Sequence, residues 1–460
     1  MLLSMEDCSR WVPIRWPDDW RDVSLLELLK GTPVNCLVVG WGKENLPPAF
    51  LEQGRQVGLS FVGIVDAASD RAAALSSAKS AGVAAVAVAD PAGVGLPAIA
   101  WAEKAKLPWG SKAGAFAVSD AVWPSIPPRK TAEGGPTGAP WVDSNGWIIQ
   151  LARTRAQGRP VWVAAAPPKI DFVRTAQYLL AISDAYAYGG RWVITLDEKL
   201  RAALRDRKTP ALTMWKNMMN AVRFFEQHRD WERFAVQANI AVISDFSGDN
   251  EFAGNEILNL LPRRGVPYRI VEKAHAADVP LNGMKGVLYP DGEPPAEAVR
   301  KKLAEFAESG GVVVASAKWP APQGLTPTMD SYRRWNVYAI GKGRLAIAKE
   351  EGQDPYLTAG DAQVLISRRN DLVRYFNFQS LNGYYTAAAD GRKAVLHTVN
   401  YAMRTFGHPV SVAFMRRYSS ARMWRFDAES PTALEAAATE TGVEVHLPPF
   451  GVYAAIELDA

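Results

Sequence analysis

Two cysteines, Cys8 and Cys36, are all that 460 residues contain, which excludes a disulfide framework and a thiolate metal cluster. The five histidines, His228, His275, His397, His408 and His446, are scattered without His-x-His or His-Glu-x-x-His spacing. No metal and no cofactor is therefore expected. Long apolar runs are missing as well: the longest, around Val83 to Ala89, is far too short to cross a bilayer, so no membrane partner is expected. The opening "MLLSMEDCSRW" sets Glu6 and Asp7 behind two leucines and carries neither the basic nor the apolar region of a secretory signal, so a cytoplasmic location is expected. Charge of one sign is scarce. A formal +4 with no Lys/Arg run and no aromatic-basic stripe excludes a nucleic-acid groove and leaves the slight basicity a matter of solubility.

What is present is an ordinary globular composition, 48% apolar, in a chain long enough for two or three domains. Up to about residue 236, short valine-rich runs alternate with helical stretches, the pattern of parallel strands covered by helices. The strand candidates are "RWVPIRW" (10–16), "VNCLVVGW" (34–41), "SFVGIVD" (60–66), "VAAVAVAD" (83–90), "LPWGSK" (107–112), "PVWVAAAP" (160–167) and "RWVITLD" (191–197). Seven such units suit a (β/α)8 TIM barrel with one irregular element better than an open sheet, and no eighth strand is legible. The Pro- and Gly-rich stretch from Ala113 to Trp141 reads as a long loop shaping the barrel mouth.

Residues 237–328 alternate strand and helix again and predict a small doubly wound α/β domain. Within it "SDFSGDNEFAGN" (244–255) reads either as an anion-accepting turn at a helix start or as a plain N-cap and polar loop. From 329 to 460 helical signal is confined to about Gly360 to Arg374, and alternating runs such as "KAVLHTVNY", "VSVAFM" and "VYAAIEL" predict an antiparallel β-sandwich.

This order of domains resembles bacterial β-galactosidases of the barrel-plus-trimerisation-domain type and their glycoside-hydrolase-like relatives. The segments "GKGRLAIAKEEGQDPYLTAGDAQVLISR" (341–368), "AVLHTVNYAMR" (394–404) and "VEVHLPPFGVYAAIEL" (443–458) look like the C-terminal modules of such enzymes. The middle domain looks like flavodoxin or a class I glutamine amidotransferase module. It contains no cysteine after Cys36 to serve as that nucleophile, so the resemblance implies a packing module, or one that forms a homo-oligomer. The implied activity is O-glycosyl hydrolysis of a carbohydrate; the alternative is a carbohydrate-binding relative that does not catalyse.

Barrel enzymes carry reacting groups at the C-terminal ends of their strands. On the strands above, those ends present Arg15 and Trp16, Trp41 and Glu44, Asp66, Asp90, Lys112, and Asp197 with Glu198. Glycoside hydrolysis needs two carboxyl groups across the scissile bond, one to protonate the leaving oxygen and one to attack or activate water. The resemblance implies that they come from the fourth and seventh strands, which gives Asp90 as acid and Glu198 or Asp197 as nucleophile or base. The "AVADPAG" around Asp90 departs from the Asn-Glu pair of the family. Each acid also has a plain alternative as a helix N-cap, Asp90 ahead of Pro91 and Asp197 ahead of Lys199. Asp66 reads as structural, and Arg15 and Lys112 as ion-pair partners or donors to sugar hydroxyls. Of 16 tryptophans, Trp16, Trp41, Trp109, Trp123 and Trp141 fall near the expected mouth, where an indole stacks on a sugar ring or is simply buried.

Overall fold

A computed structural model describes residues 8–42, 45–65, 70–126, 142–328, 332–378, 380–405 and 409–460. These fall into two compact units, the first ending at Glu232 and the second running from Arg233 to Ala460.

The first unit is the barrel. Its strands are β1 (Pro13–Arg15), β2 (Cys36–Trp41), β3 (Ser60–Val65), β4 (Ala85–Val88), β5 (Ala98–Ala102), β6 (Ala115–Val118), β7 (Val161–Val163) and β8 (Arg191–Trp192). Each pairs in parallel with the next. The bridge Ile14↔Ile194 closes the circle, with the Arg15 amide donating to the Ile194 carbonyl at 2.8 Å and the Ile194 amide to that of Pro13 at 3.1 Å.

Inside, Trp11 and Trp162 lie 6.1 Å apart, and Cys36, Val38, Val62, Ile99 and Val193 pack around them. Two indoles fill so much of the lumen that β4 and β6 face it with Ala85, Ala87, Ala115 and Ala117, all buried. Burial, and after it Cys8, pushes the Cys36 thiol well above its ordinary value, so it is a neutral packing group.

The structure departs from the strand list in the middle of the barrel. β5 and β6 are short alanine-rich runs with little β propensity, and neither was expected. The expected strand at 107–112 is instead a turn that follows a single 3-10 turn, Lys104–Lys106. Part of the expected mouth loop, Ala115–Val118, is a barrel strand.

The helices of this unit are α1 (Pro48–Gln56), α2 (Arg71–Ser80), α3 (Gly146–Ala156), α4 (Thr175–Tyr186), α5 (Glu198–Arg205) and α6 (Thr209–Gln227). Between β4 and β5 the chain makes turns only.

The second unit starts with β9 (Ala235–Val236). It continues through β10 (Ile240–Ser244), α7 (Glu251–Leu260), β11 (Tyr268–Glu272), β12 (Gly286–Tyr289), α8 (Glu297–Glu308), β13 (Val312–Ala315), β14 (Trp335–Ile340), β15 (Gly343–Ala348) and α9 (Pro355–Ile366). The sheet order is β11-β10-β12-β13-β15-β14, parallel except for β14. The α/β sheet therefore runs past residue 328, taking in two strands from the stretch 329–460 that was expected to form the sandwich domain. Their hairpin turn, Gly341 and Lys342, hides the parallel β13–β15 pairing from a reading that looks for a helix between parallel strands.

The sandwich comprises β16 (Val373–Phe376), β17 (Leu381–Ala387), β18 (Lys393–Asn400), β19 (Val410–Phe414), β20 (Ser420–Trp424), β21 (Thr432–Leu434), β22 (Ala436–Ala438), β23 (Val443–Leu447) and β24 (Tyr453–Asp459). One sheet is β16-β19-β23-β22 and the other β21-β20-β24-β18-β17-β9. Alternation sets the packing: Ala454, Ile456 and Leu458 of β24 enter the shared core with Val412, Phe414 and Val445, while Glu457 points to the opposite face.

Candidate functional site

The C-terminal ends of the barrel strands enclose a cavity of about 200 Å³. Arg15 enters it from β1, Trp101 from β5, Ser119 from just past β6, Ala164 to Ala166 from just past β7, and Thr195 from the segment after β8. No carboxylate among the described residues lines it. Arg15 is held in place: its Nη1 donates to the carbonyls of Trp16 at 3.0 Å and Val38 at 3.2 Å, and its Nη2 pairs with Asp18 at 3.1 Å. Trp101 is half-buried, so part of its indole faces the opening. A partly wet aromatic beside a fixed guanidinium offers an apolar ring face and hydrogen-bond donors together.

The three nominated carboxylates stand elsewhere. Asp90 follows β4, the fourth strand, as expected, but no helix starts there. Its side chain is exposed and closes a local turn by accepting from the Ala92 amide at 2.9 Å, while its carbonyl accepts from Arg71 at 2.7 Å. Asp197 is the N-cap of α5: Oδ1 accepts from the Leu200 amide at 3.0 Å and Oδ2 from the Tyr178 hydroxyl at 2.8 Å. That hydroxyl in turn accepts from the Asp197 amide at 2.8 Å. Burial pushes the Tyr178 phenol well above its ordinary value, which keeps it a donor to the cap. Glu198 is an exposed acid in the first turn of α5, where the helix dipole favours it.

The strand count also shifts. Asp197 and Glu198 follow the eighth strand and not the seventh, and the seventh, β7, runs out into Ala164, Ala165 and Ala166.

The remaining nominated residues separate in the same way. Trp16 is buried, its Nε1 donating to the Trp20 carbonyl at 2.8 Å, with Phe50 packed against it at 5.8 Å. Trp41 is buried at the end of β2, its Cβ 3.1 Å from where a side chain at Gly63 would begin. Trp109 and Lys112 precede β6 and so lie on the N-terminal side of the barrel, away from the mouth, because 107–112 is not a strand. There Trp109 packs on Phe116 at 4.9 Å, and its carbonyl accepts from Arg159 at 2.8 Å. Trp123 makes edge contacts at 5.3 Å with Tyr178 and Trp192. Glu44, Asp66 and Trp141 lie outside the described residues.

Of the nominated residues that are described, only Arg15 lines the mouth. Trp101 was missed because β5 was missed; the alternation of Ile99 and Trp101 in "AIAWA" is the signal that places both on the lumen side. No group of three His, Cys, Asp or Glu among the described residues is arranged to hold a metal ion. None of their helices is long and apolar enough to cross a membrane.

No protein-family model and no curated protein matches the sequence. Solved structures do match the fold. The α-L-fucosidase isoenzyme 2 from Paenibacillus thiaminolyticus superposes with a TM-score of 0.61 at 10% identity, over 97% of this chain and 98% of that one. The cold-adapted β-galactosidase from Rahnella sp. R3 gives 0.58 at 11% identity over 100% of both chains. That of Bacillus circulans sp. alkalophilus gives 0.50 at 10% identity over 90% of this chain and 66% of its own. These likenesses define the class, a glycoside-hydrolase-like fold of the β-galactosidase type with barrel and β-sandwich. Identities of 10 to 11% carry architecture and leave the reaction to the site.

Proposed function

We propose that this chain binds carbohydrate at the barrel mouth, with Trp101 stacking on a sugar ring and Arg15 donating to its hydroxyls, and that it does not hydrolyse the ligand. The observation that carries this reading is the composition of the mouth: an indole and a guanidinium face it, and three alanines stand where the seventh strand ends. Most glycoside hydrolases set a carboxyl on each side of the scissile bond. Among the described residues, methyl groups stand at the second position and supply neither a nucleophile nor a base, and the carboxylate after the fourth strand is engaged with a main-chain amide.

The second reading, hydrolysis with Asp90 as acid and Glu198 or Asp197 as nucleophile or base, is favoured by the fold, since the fucosidase and galactosidases it resembles are hydrolases by name. One experiment separates the two. Titration of neutral monosaccharides followed by tryptophan fluorescence is expected to saturate in the wild type and to weaken about five- to thirtyfold in Trp101→Ala, since loss of one stacked ring costs of the order of 1–2 kcal/mol. A panel of nitrophenyl glycosides is expected to show no turnover. Release of nitrophenol that disappears in Asp90→Asn or Glu198→Gln would overturn the binding-only reading in favour of the hydrolase.

A further inference from the structure

The middle domain contains a larger cavity than the barrel mouth, about 530 Å³, and it lies where its topology favours a ligand. In a doubly wound sheet a crevice opens beyond the strand ends at the point where successive connections go to opposite faces. Here that point falls between β10 and β12: β10 connects through α7 to β11 on one side, and β12 through α8 to β13 on the other. The α8 residues Val299 and Leu303 cover the face that carries Val287 and Val313. The alternating Leu288 and Val314 lie on the other face, with α7 and α9, and with Ile257 of α7 and Trp335 they contribute to the apolar part of the cavity wall.

The rim has the opposite character. Asp245, Asp249, Glu293, Glu350 and Glu351 line it, against the single ammonium of Lys318. Lys318 already spans two of these acids, 2.5 Å from Glu293 and 3.7 Å from Glu351, so a protonated amine is a group this rim accepts. Asp245 is fixed from beneath, bonded to Lys273 at 2.5 Å and Asn250 at 3.1 Å. Burial alone would raise its carboxyl, but the bonds to Lys273 and Asn250 outweigh it and hold the group below the ordinary range, so it is ionised at neutral pH. Lys273 also reaches the fully buried Asp291 at 2.6 Å, so its charge is spent within the fold and offers little to an incoming anion.

The turn at 244–255, the one segment of the sequence suggesting phosphate, thus opens into a negative field that repels phosphate. We infer that this crevice binds a small organic cation, a molecule whose aliphatic or ring body rests against Leu288, Val314 and Trp335 while a primary ammonium meets Asp249, Glu350 and Glu351. The site is separate from the barrel mouth, and nothing in its argument depends on sugar binding there.

Isothermal titration calorimetry of the full chain with spermidine, glucosamine and AMP tests this inference. At low salt at least one amine is expected to bind, and AMP is not. Binding by spermidine alone marks an aliphatic polyamine, and binding by glucosamine alone an amino sugar. Affinity is expected to fall about tenfold or more in the double variant Glu350→Gln/Glu351→Gln and to weaken as salt screens the rim. Both positions are exposed and outside the core, so the variant is expected to melt as the wild type does. Trp101→Ala is expected to bind the amine unchanged, which keeps failure here distinct from failure at the barrel. Absence of binding by both amines, binding of AMP, or an affinity indifferent to the double substitution would each overturn the inference.

Discussion

Asp197 and Glu198 are adjacent in sequence and differ in what they hold. Asp197 satisfies the Leu200 amide and the buried Tyr178 hydroxyl, whereas Glu198 faces solvent. Asp197→Ala removes an N-cap and one partner of a buried phenol, so urea denaturation is expected to show a loss of about 2 kcal/mol. Glu198→Gln, which forfeits only a favourable charge in the first helical turn, is expected to stay within about 0.5 kcal/mol of wild type. Equal losses would show that the cap geometry is not what distinguishes them. The sequence made the cap legible, since an aspartate between an apolar run and an amphipathic helix is the ordinary N-terminal signal. It hid Tyr178, 19 residues away in α4, because only the folded barrel brings that hydroxyl to the cap.

The same contrast holds for whole elements. The strands of the sandwich were largely legible, since β18, β19 and β24 are short runs rich in apolar residues and buried along almost their whole length, and so was the helix α8, with apolar residues on one face. The barrel strands β5 and β6 were not, because both are short and about half alanine, the residue that gives strand readings least to work with; in β6 those alanines face the narrow lumen, whereas β5 turns Ile99 and Trp101 inward.

Across the sandwich, β24 ties to β18 and β20 through one side chain: Glu457 pairs with Lys393 at 3.1 Å and Arg422 at 2.9 Å, and accepts from the Trp424 indole at 2.7 Å. Burial would raise its carboxyl, but Trp424, Lys393 and Arg422 outweigh burial and hold it below the ordinary value of 4.5. A carboxyl whose folded value is depressed stabilises the fold above its unfolded value and loses that contribution as pH falls through the folded one. Glu457→Gln is therefore expected to cost about 1–3 kcal/mol near neutral pH, and its melting temperature is expected to converge on that of wild type as the medium is acidified below 4.5. A gap that persists unchanged in acid would mean that packing, and not charge, is what the substitution removes.

At the scale of the whole chain, the order of α/β regions followed by a sandwich was open to reading, because strand and helix alternate up to the last helix and strands follow one another almost without interruption after it. The residues of the barrel mouth were not, because assigning them required a correct strand count. One turn mistaken for a strand moved Trp109 and Lys112 to the wrong end of the barrel, and that false strand, counted in place of two overlooked ones, turned the eighth into the seventh. A site assembled from many strand ends inherits every such error, whereas a fold class tolerates them.

The division into two compact units, each with its own core, has an energetic consequence. Asp197 belongs to the barrel unit and Glu457 to the other, and among the described residues the hydrogen-bond and ion-pair partners named for the two are different. Substitutions without common partners add. The double variant Asp197→Ala/Glu457→Gln is accordingly expected to lose the sum of the two single losses, to within about 0.5 kcal/mol, when the four proteins are unfolded in urea side by side. Where two transitions are resolved, each single substitution is expected to move only the transition of its own unit. A coupling well above that margin, or a barrel cap that shifts the melting of the sandwich, would show that the two cores fold as one.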